Sequence, residues 1–585
     1  MLGALMAAPP DTLQRLLERA AAFPAAGLRL LDAAERETFL AWPEVAARAV
    51  AVAGRLAAAG VLPGERVALV YPTGAEFFSA FFGILDAGAV PVPLYPPVRL
   101  GRLAEYEERT AAMLHAAGVV LVLADARLSG LVGRAVERAR PRLGGATLAA
   151  LPAAPPRRVA GAPDDLALVQ FSSGTTVDPK PVALTQRAVL AQTRALTALW
   201  PDTPELTHSG VSWLPLYHDM GLIGCVFPAL ERPGVLTLLP PESFVARPAL
   251  WLRALARHRA TISVAPNFAY ALASERIRDE ELEGCDLGAW AHALCGAETV
   301  SAATLRGFAA RFARFGFRAE ALRPVYGLSE AALAVTFAAS RAELASLRVE
   351  RAALARGEVV EQPRGSEIVS LGRPLAGFAL ELRDEAGGAL GEDRVGRVFV
   401  AGPSLMREYL GRPEESARVL AGGWLDTGDL GFLHEGELYL TGRAKDVLIL
   451  RGLNHSPAEV EAAAGEVAGA RRGCAVAVSH RPAEGATDRL LLFVEHRRGL
   501  SARERGRLPR RCREAVLGAT GLAVEEVIVL APGTLPRTSS GKLRRGETLA
   551  RHLDGRLDAP APAGRLRLAW AWLAGRRAFA RAAPR

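Results

Sequence analysis

Short apolar runs alternate with stretches whose apolar residues return at helical spacing. Val67-Ala68-Leu69-Val70-Tyr71, Val90-Pro91-Val92-Pro93-Leu94 and Val119-Val120-Leu121-Val122-Leu123 have strand length and no polar alternation, as buried strands do. Between them the pattern predicts helices over 43–59 and 75–87, the second with Phe77, Phe78, Phe81 and Phe82 on its core side. A leading helix is expected within 1–24. This alternation predicts an α/β fold with largely parallel sheets flanked by helices. A stretch rich in Pro, Ala and Gly, 140–163, reads as a connector. From 457 the rhythm changes to helices over 457–466 and 503–517 and strands over 474–478, 490–495 and 527–530. That is the pattern of a smaller α+β domain.

Composition narrows the class. A chain of 585 residues needs more than one core, and 50% hydrophobic with 23% charged residues is ordinary for a globular protein. No apolar run is long enough to span a bilayer. Residues 1–8 are apolar but too short, and lack the basic start of a signal peptide. The five cysteines are scattered, odd in number and form no C-x-x-C pair. They argue against a disulfide framework or a zinc site and for a reducing cytoplasm. The net charge of +9 is spread along the chain, and no nucleic-acid-binding module accompanies it.

Candidate chemistry begins where the run Leu166-Ala167-Leu168-Val169 enters Phe171-Ser172-Ser173-Gly174-Thr175-Thr176-Val177-Asp178-Pro179-Lys180. Free backbone N–H groups, hydroxyls and one cation suit a polyphosphate. The Walker spacing is absent, and a turn built of turn-forming residues is the plainer alternative. Farther on, Val325-Tyr326-Gly327-Leu328-Ser329-Glu330 offers an aromatic face, a tight turn, a hydroxyl and a carboxylate. Those groups suit adenine, an α-phosphate and Mg²⁺. Ser212-Trp213-Leu214-Pro215-Leu216-Tyr217-His218-Asp219-Met220-Gly221-Leu222 reads either as a functional segment or as a Pro-broken strand with a satisfied core histidine.

Taken in order, these motifs resemble those of the adenylate-forming enzymes: acyl-CoA synthetases, luciferases, peptide-synthetase adenylation domains and fatty acyl-AMP ligases. The 212–222 string, Arg451-Gly452-Leu453-Asn454-His455-Ser456-Pro457 and the long interval from 337 to 372 are most similar to the fatty acyl-AMP ligases. The resemblance covers about residues 25–553. It implies a large adenylation domain over 1–443, a small mobile domain over 444–555 joined by a hinge at Lys445, and a basic tail over 556–585.

Further implications of the resemblance are residue roles. Lys542, Glu330, Ser329 and His218 become the catalytic candidates, with Glu330 holding Mg²⁺. Ser172, Ser173, Gly174, Thr175, Thr176 and Lys180 would hold the phosphates of ATP. Gly296, Ala297, Glu298, Tyr326 and Gly327 would receive adenine, and Asp429 and Arg443 the ribose and phosphate. Trp213, Met220, Asn267 and Phe268 would line an acyl pocket. Val177 and Pro181 depart from the family pattern, which has Gly at both places.

The implied reaction is ATP- and Mg²⁺-dependent conversion of a long-chain fatty acid to acyl-AMP and pyrophosphate. Transfer to a phosphopantetheinyl carrier protein, or a carrier domain of a polyketide or peptide synthase, on another chain would follow. The rivals are a fatty acyl-CoA synthetase and, in another class, a catalytically silent adenylate- or acyl-binding protein. The tail from 564 mixes arginines with Trp570, Trp572, Leu573 and Phe579 and has no acidic residue. It reads as packed on the body or solvated, with weak contact to an anionic membrane as the alternative.

Overall fold

The computed structural model describes residues 9–97, 100–171, 179–201, 203, 207–450, 453–482, 488–538, 541–560 and 565–581. The apolar runs become strands close to where their pattern places them: Arg66–Val70, Val90–Pro93 and Val119–Ala124, which pair in parallel in a four-stranded sheet. The helices between them are Trp42–Ala58 and Ala75–Asp86. Phe77, Phe78, Phe81 and Phe82 are each at most 2% exposed, and Phe81 meets Phe227 from a separate helix. Burying such rings contributes roughly 1.5–3 kcal/mol apiece before entropy is counted.

A nine-stranded sheet carries the site. Its order is Arg373–Pro374, Ala334–Phe337, Leu322–Gly327, His292–Cys295, Ile262–Ala265, Gly210–Ser212, Val235–Leu238, Gly27–Leu31, Glu37–Ala41. The strands from Leu322–Gly327 to Gly27–Leu31 run parallel, and the pairings beyond them are antiparallel. One face packs on an aromatic cluster that includes Trp251, Trp290, Tyr270 and Phe308, all fully buried. The α/β class expected from the pattern is borne out.

Leu166–Phe171 and Pro181–Thr185 form an antiparallel pair in which Phe171 faces Pro181. The hydroxyl-rich loop therefore joins the two arms of a hairpin, though Ser172, Ser173, Gly174, Thr175, Thr176 and Val177 lie outside the described residues. Pro181 is accommodated as the first residue of its strand, where no ladder N–H is demanded of it. Its carbonyl accepts from Leu410 N–H at 2.8 Å.

Residues 448 to 557 build separate cores. Ala470–His480, Arg489–His496 and Glu526–Leu530 form a three-stranded sheet covered by the helices Pro457–Gly465, Ala502–Thr520 and Arg545–Leu553. Ser501 and Glu504 close a reciprocal capping box on the second helix, and Gly521 ends it at φ 73°.

The long interval 337–372 contains the antiparallel strands Ser346–Val349 and Ser366–Val369 and a helix, Arg351–Ala355. Its alternation is too short to read, and its pairing spans residues 346 to 369. Arg351 reaches Glu459 of the Pro457–Gly465 helix at 3.3 Å. The tail helix, Arg565–Arg581, docks on the Ser129–Ala139 helix. Gly575 approaches so closely that a Cβ there would sit 1.8 Å from the Gly130 carbonyl oxygen. Phe579 is buried, whereas Trp570 is 72% exposed. No described helix is long and apolar enough to cross a membrane.

Candidate active site

Parallel strands deliver their following loops to one edge, and ligands of open α/β sheets bind outside that carboxyl edge. Here the loops are those after Gly210–Ser212, His292–Cys295 and Leu322–Gly327. They bring Met220, Ala297 and Ser329 to one cavity of about 400 Å³. Two of the turns are held in the left-handed region without glycine, at Ala297 (φ 69°) and Ala332 (φ 64°). Such conformations persist only where the surroundings impose them.

The cavity has two parts. Its mouth gathers Lys180, Arg443, Lys445 and Lys542 with Asp219, Glu330 and Asp426. A limb then runs between the sheet and the helices that follow Met220, walled by residues such as Val211, Val264, Leu294 and Leu333. The helix here passes through a π-turn at Leu222–Val226, a distortion common beside functional sites.

Asp219 knits two motifs together. Its carboxylate accepts from Ser329 Oγ at 2.5 Å and lies 2.6 Å from His218 Nδ1. Burial alone would raise this carboxyl. The His218 charge and hydrogen bond, the Ser329 hydroxyl and the Lys542 charge outweigh it and hold it at about 2. Burial and the Arg443 charge pull the Lys542 ammonium below its ordinary value, with Asp219, Glu298 and Asp429 opposing. Burial likewise lowers Lys445. Glu330 accepts from Tyr409 O–H at 2.8 Å. Lys180 pairs with Glu415 at 2.7 Å and sits 4.7 Å from the centre of the Tyr409 ring.

Of the expected nucleotide residues, Lys180, Ala297, Tyr326, Gly327 and Arg443 line the cavity. Asp429 does not. Its oxygens face Tyr326 O–H at 2.7 Å and Arg443 Nε at 2.9 Å, and Asp426, Thr427 and Gly428 line the cavity beside it. Gly296 and Glu298 also lie behind the surface. A Cβ on Gly296 would come within 2.7 Å of Val325, and Glu298 accepts from Phe268 N–H at 2.6 Å. Burial raises the Glu298 carboxyl.

The four residues expected to line an acyl pocket divide. Met220 lines the cavity, but Trp213, Asn267 and Phe268 do not. Trp213 is turned into the core, stacked on Phe244 at 3.9 Å. Asn267 accepts from Ser301 N–H at 3.0 Å, and Phe268 lies edge-on to Trp213. Asp219, Tyr409 and Glu415 were missed as contributors. Asp219 stood inside a recognised string beside His218, while Tyr409 and Glu415 reach the site only because Glu408–Tyr409 pairs with Pro181–Thr185.

Comparison with known proteins agrees with this geometry. The AMP-binding enzyme family matches residues 17–410. The chain belongs to that family. It is 38% identical to a Caulobacter vibrioides protein provisionally named acyl-CoA synthetase, over 87% of this chain and 89% of that protein. It is 34% identical to the long-chain-fatty-acid–AMP ligase FadD26 of Mycobacterium marinum, over 88% and 91%. A structure from a study of fatty acyl-adenylate ligases of E. coli and L. pneumophila superposes with a TM-score of 0.87 at 34% identity, covering 93% of this chain and 98% of that one. The expectation of an enzyme of the adenylate-forming class is thus borne out.

Proposed function

We propose that this enzyme joins a long-chain fatty acid to AMP and passes the acyl group to a carrier-protein thiol. The observation that carries the first half is the single cavity joining a cation-lined mouth to an apolar limb. A carboxylate oxygen of the acid forms a bond to the α-phosphorus of ATP, and the bond from that phosphorus to the bridging oxygen of pyrophosphate breaks. No protein nucleophile is needed, so catalysis is placement and charge stabilisation. The limb holds the chain so that its carboxylate emerges at the mouth. Lys542 neutralises charge between that carboxylate and the α-phosphate. Lys180 and the 172–176 loop hold the outer phosphates. Tyr326 lies under the adenine, and Asp429 acts by fixing Tyr326 and Arg443. Asp219 orients His218 and Ser329.

Among the described residues no group of three or more His, Cys, Asp or Glu side chains could cage a metal ion. That fits Mg²⁺, which takes one or two carboxylates and completes its shell with substrate phosphate oxygens. Glu330 would hold it, beside Ser329. Once bound, it would withdraw charge from the phosphate oxygens.

For the second half we take residues 1–443 and 444–555 as domains that rotate about Lys445 after adenylation, removing Lys542 from the mouth. Arg545 would steer this hinge, since it bonds both Asp446, next to Lys445, and Glu461. The 337–372 segment, tied to Glu459 by Arg351, would disfavour the pose that CoA needs. The name of the Caulobacter relative keeps the CoA-ligase reading as the alternative. Incubation with ATP, Mg²⁺, fatty acid and either CoA or a phosphopantetheinylated carrier protein decides between them. The expected product is acyl-carrier with little acyl-CoA; rapid stoichiometric acyl-CoA would reverse the assignment. The scattered cysteines fit work in the cytoplasm.

The tail helix keeps Trp570 and Leu573 exposed beside Arg576 and Arg577. We assign it weak contact with an anionic membrane surface. Vesicle flotation in low salt should fall when 564–585 is deleted, and unchanged flotation would remove this role.

A further inference from the structure

The parallel strands have a second edge, and the limb runs toward it. At the mouth the lining belongs to the carboxyl ends: Tyr326, Gly327 and Ala297. Deeper, it passes Val264 to Ile262, which pairs with Gly210 at the amino ends. The strand from Ala265 back to Ile262 covers about 10 Å at the usual rise per residue. Beyond Gly210 the lining changes character, to Trp200, His208 and Arg232.

A saturated chain end gains nothing from such groups, because a guanidinium facing hydrocarbon is left poorly solvated. Arg232 Nη1 donates to the Trp200 carbonyl at 2.6 Å, and the guanidinium has no carboxylate partner among the described residues. It carries five N–H donors, so that bond leaves most of them for a ligand. His208 Nδ1 lies 3.0 Å from Thr261 Oγ1, which fixes the ring. Behind these, His292 packs under Trp200 with ring centres 4.8 Å apart. Arg323 Nη2 lies 3.2 Å from His292 Nδ1, and Arg323 Nε is buried without a hydrogen-bond partner. Burial and the Arg323 charge keep the His292 imidazole neutral, at about 3. A guanidinium at the remote end of an apolar tunnel, without a carboxylate partner among the described residues and with Arg323 behind it, selects for oxygen.

We propose that the preferred acyl substrate carries an oxygen function, hydroxyl or carboxylate, at the end remote from the reacting carboxylate, and that Arg232 and His208 bind it. The inference rests on the acyl-adenylate reading above and names the substrate class of that same site.

The test uses the full chain with ATP and Mg²⁺, reading pyrophosphate release. Its substrates are straight-chain acids matched at several lengths: the plain acid, its ω-hydroxy form and the α,ω-diacid. A site built to hydrogen-bond an oxygen strongly rejects the analogue lacking it, so at the best length one oxygenated acid should exceed the plain acid about tenfold or more in kcat/KM. Which of the two leads separates a hydroxyl from a carboxylate ligand. In Arg232→Leu the ratio between oxygenated and plain acid should fall to parity, and His208→Leu should lower it in the same direction. Because the readout is a ratio on one preparation, a general loss of activity cannot imitate it. Brisk turnover of the plain acid with no preference at any length overturns this inference and leaves acyl-adenylate formation standing. A preference that survives both substitutions also overturns it. Failure to turn over every acid of the series overturns the acyl-adenylate reading, and this inference with it.

Discussion

Replacing Lys542 with Ala should lower fatty-acid-dependent pyrophosphate release by about 10²–10³-fold, the loss typical when one preorganised charge or donor leaves a transition state. The side chain lines the mouth from the loop before the Arg545–Leu553 helix, so it supports no core. The melting temperature should therefore hold while turnover collapses. The protonation state gives a second signature. Burial and Arg443 lower the Lys542 pKa, so the free enzyme should lose this charge, and with it kcat/KM, as pH rises through a value below that of an ordinary lysine. Lys542→Arg, charged at any working pH, should abolish that alkaline limb even if its geometry slows the reaction. Near-normal turnover in Lys542→Ala would remove Lys542 from the mechanism.

Asp219→Asn should cost about 10–100-fold in kcat, the equivalent of the 1.5–3 kcal/mol carried by a hydrogen bond to a charged group. Asn preserves the volume but removes the charge that holds His218 and Ser329 in register. Because this carboxyl sits at about 2, below its unfolded value, its stabilising contribution is complete above the unfolded pKa. It is lost as pH falls through about 2. The wild type should accordingly show no acid limb from Asp219 near neutrality, and the deficit of Asp219→Asn should be constant from pH 6 to 8. An unchanged kcat would reduce Asp219 to a packing residue.

Elements defined by local periodicity were legible in the sequence. The helix Ala75–Asp86 announces itself by its phenylalanines, and the strand Val119–Ala124 by its unbroken apolar run. Chemistry held within one loop was legible too: Tyr326, Gly327, Ser329 and Glu330 all line the cavity. Contacts that depend on remote pairing were not. The bond from Ser329 to Asp219 spans 110 positions, and Tyr409 reaches Glu330 across 79. Trp213 shows the converse. A large aromatic inside a recognised string suggests a pocket wall, but its orientation is set by Phe244, which no local pattern connects to it. The far end of the limb was hidden for the same reason, since Trp200, His208 and Arg232 converge on it from separate segments of the chain.

Everything proposed for the site depends on the chain making an acyl adenylate. The direct measurement is mass spectrometry of the products formed by the full chain from ATP, Mg²⁺ and a fatty acid, without any thiol acceptor. Acyl-AMP and pyrophosphate should form in equal amounts, both at a rate about 10²–10³-fold lower in Lys542→Ala. ATP left intact, or cleaved to ADP and phosphate with no acyl-AMP, would contradict acyl-adenylate formation.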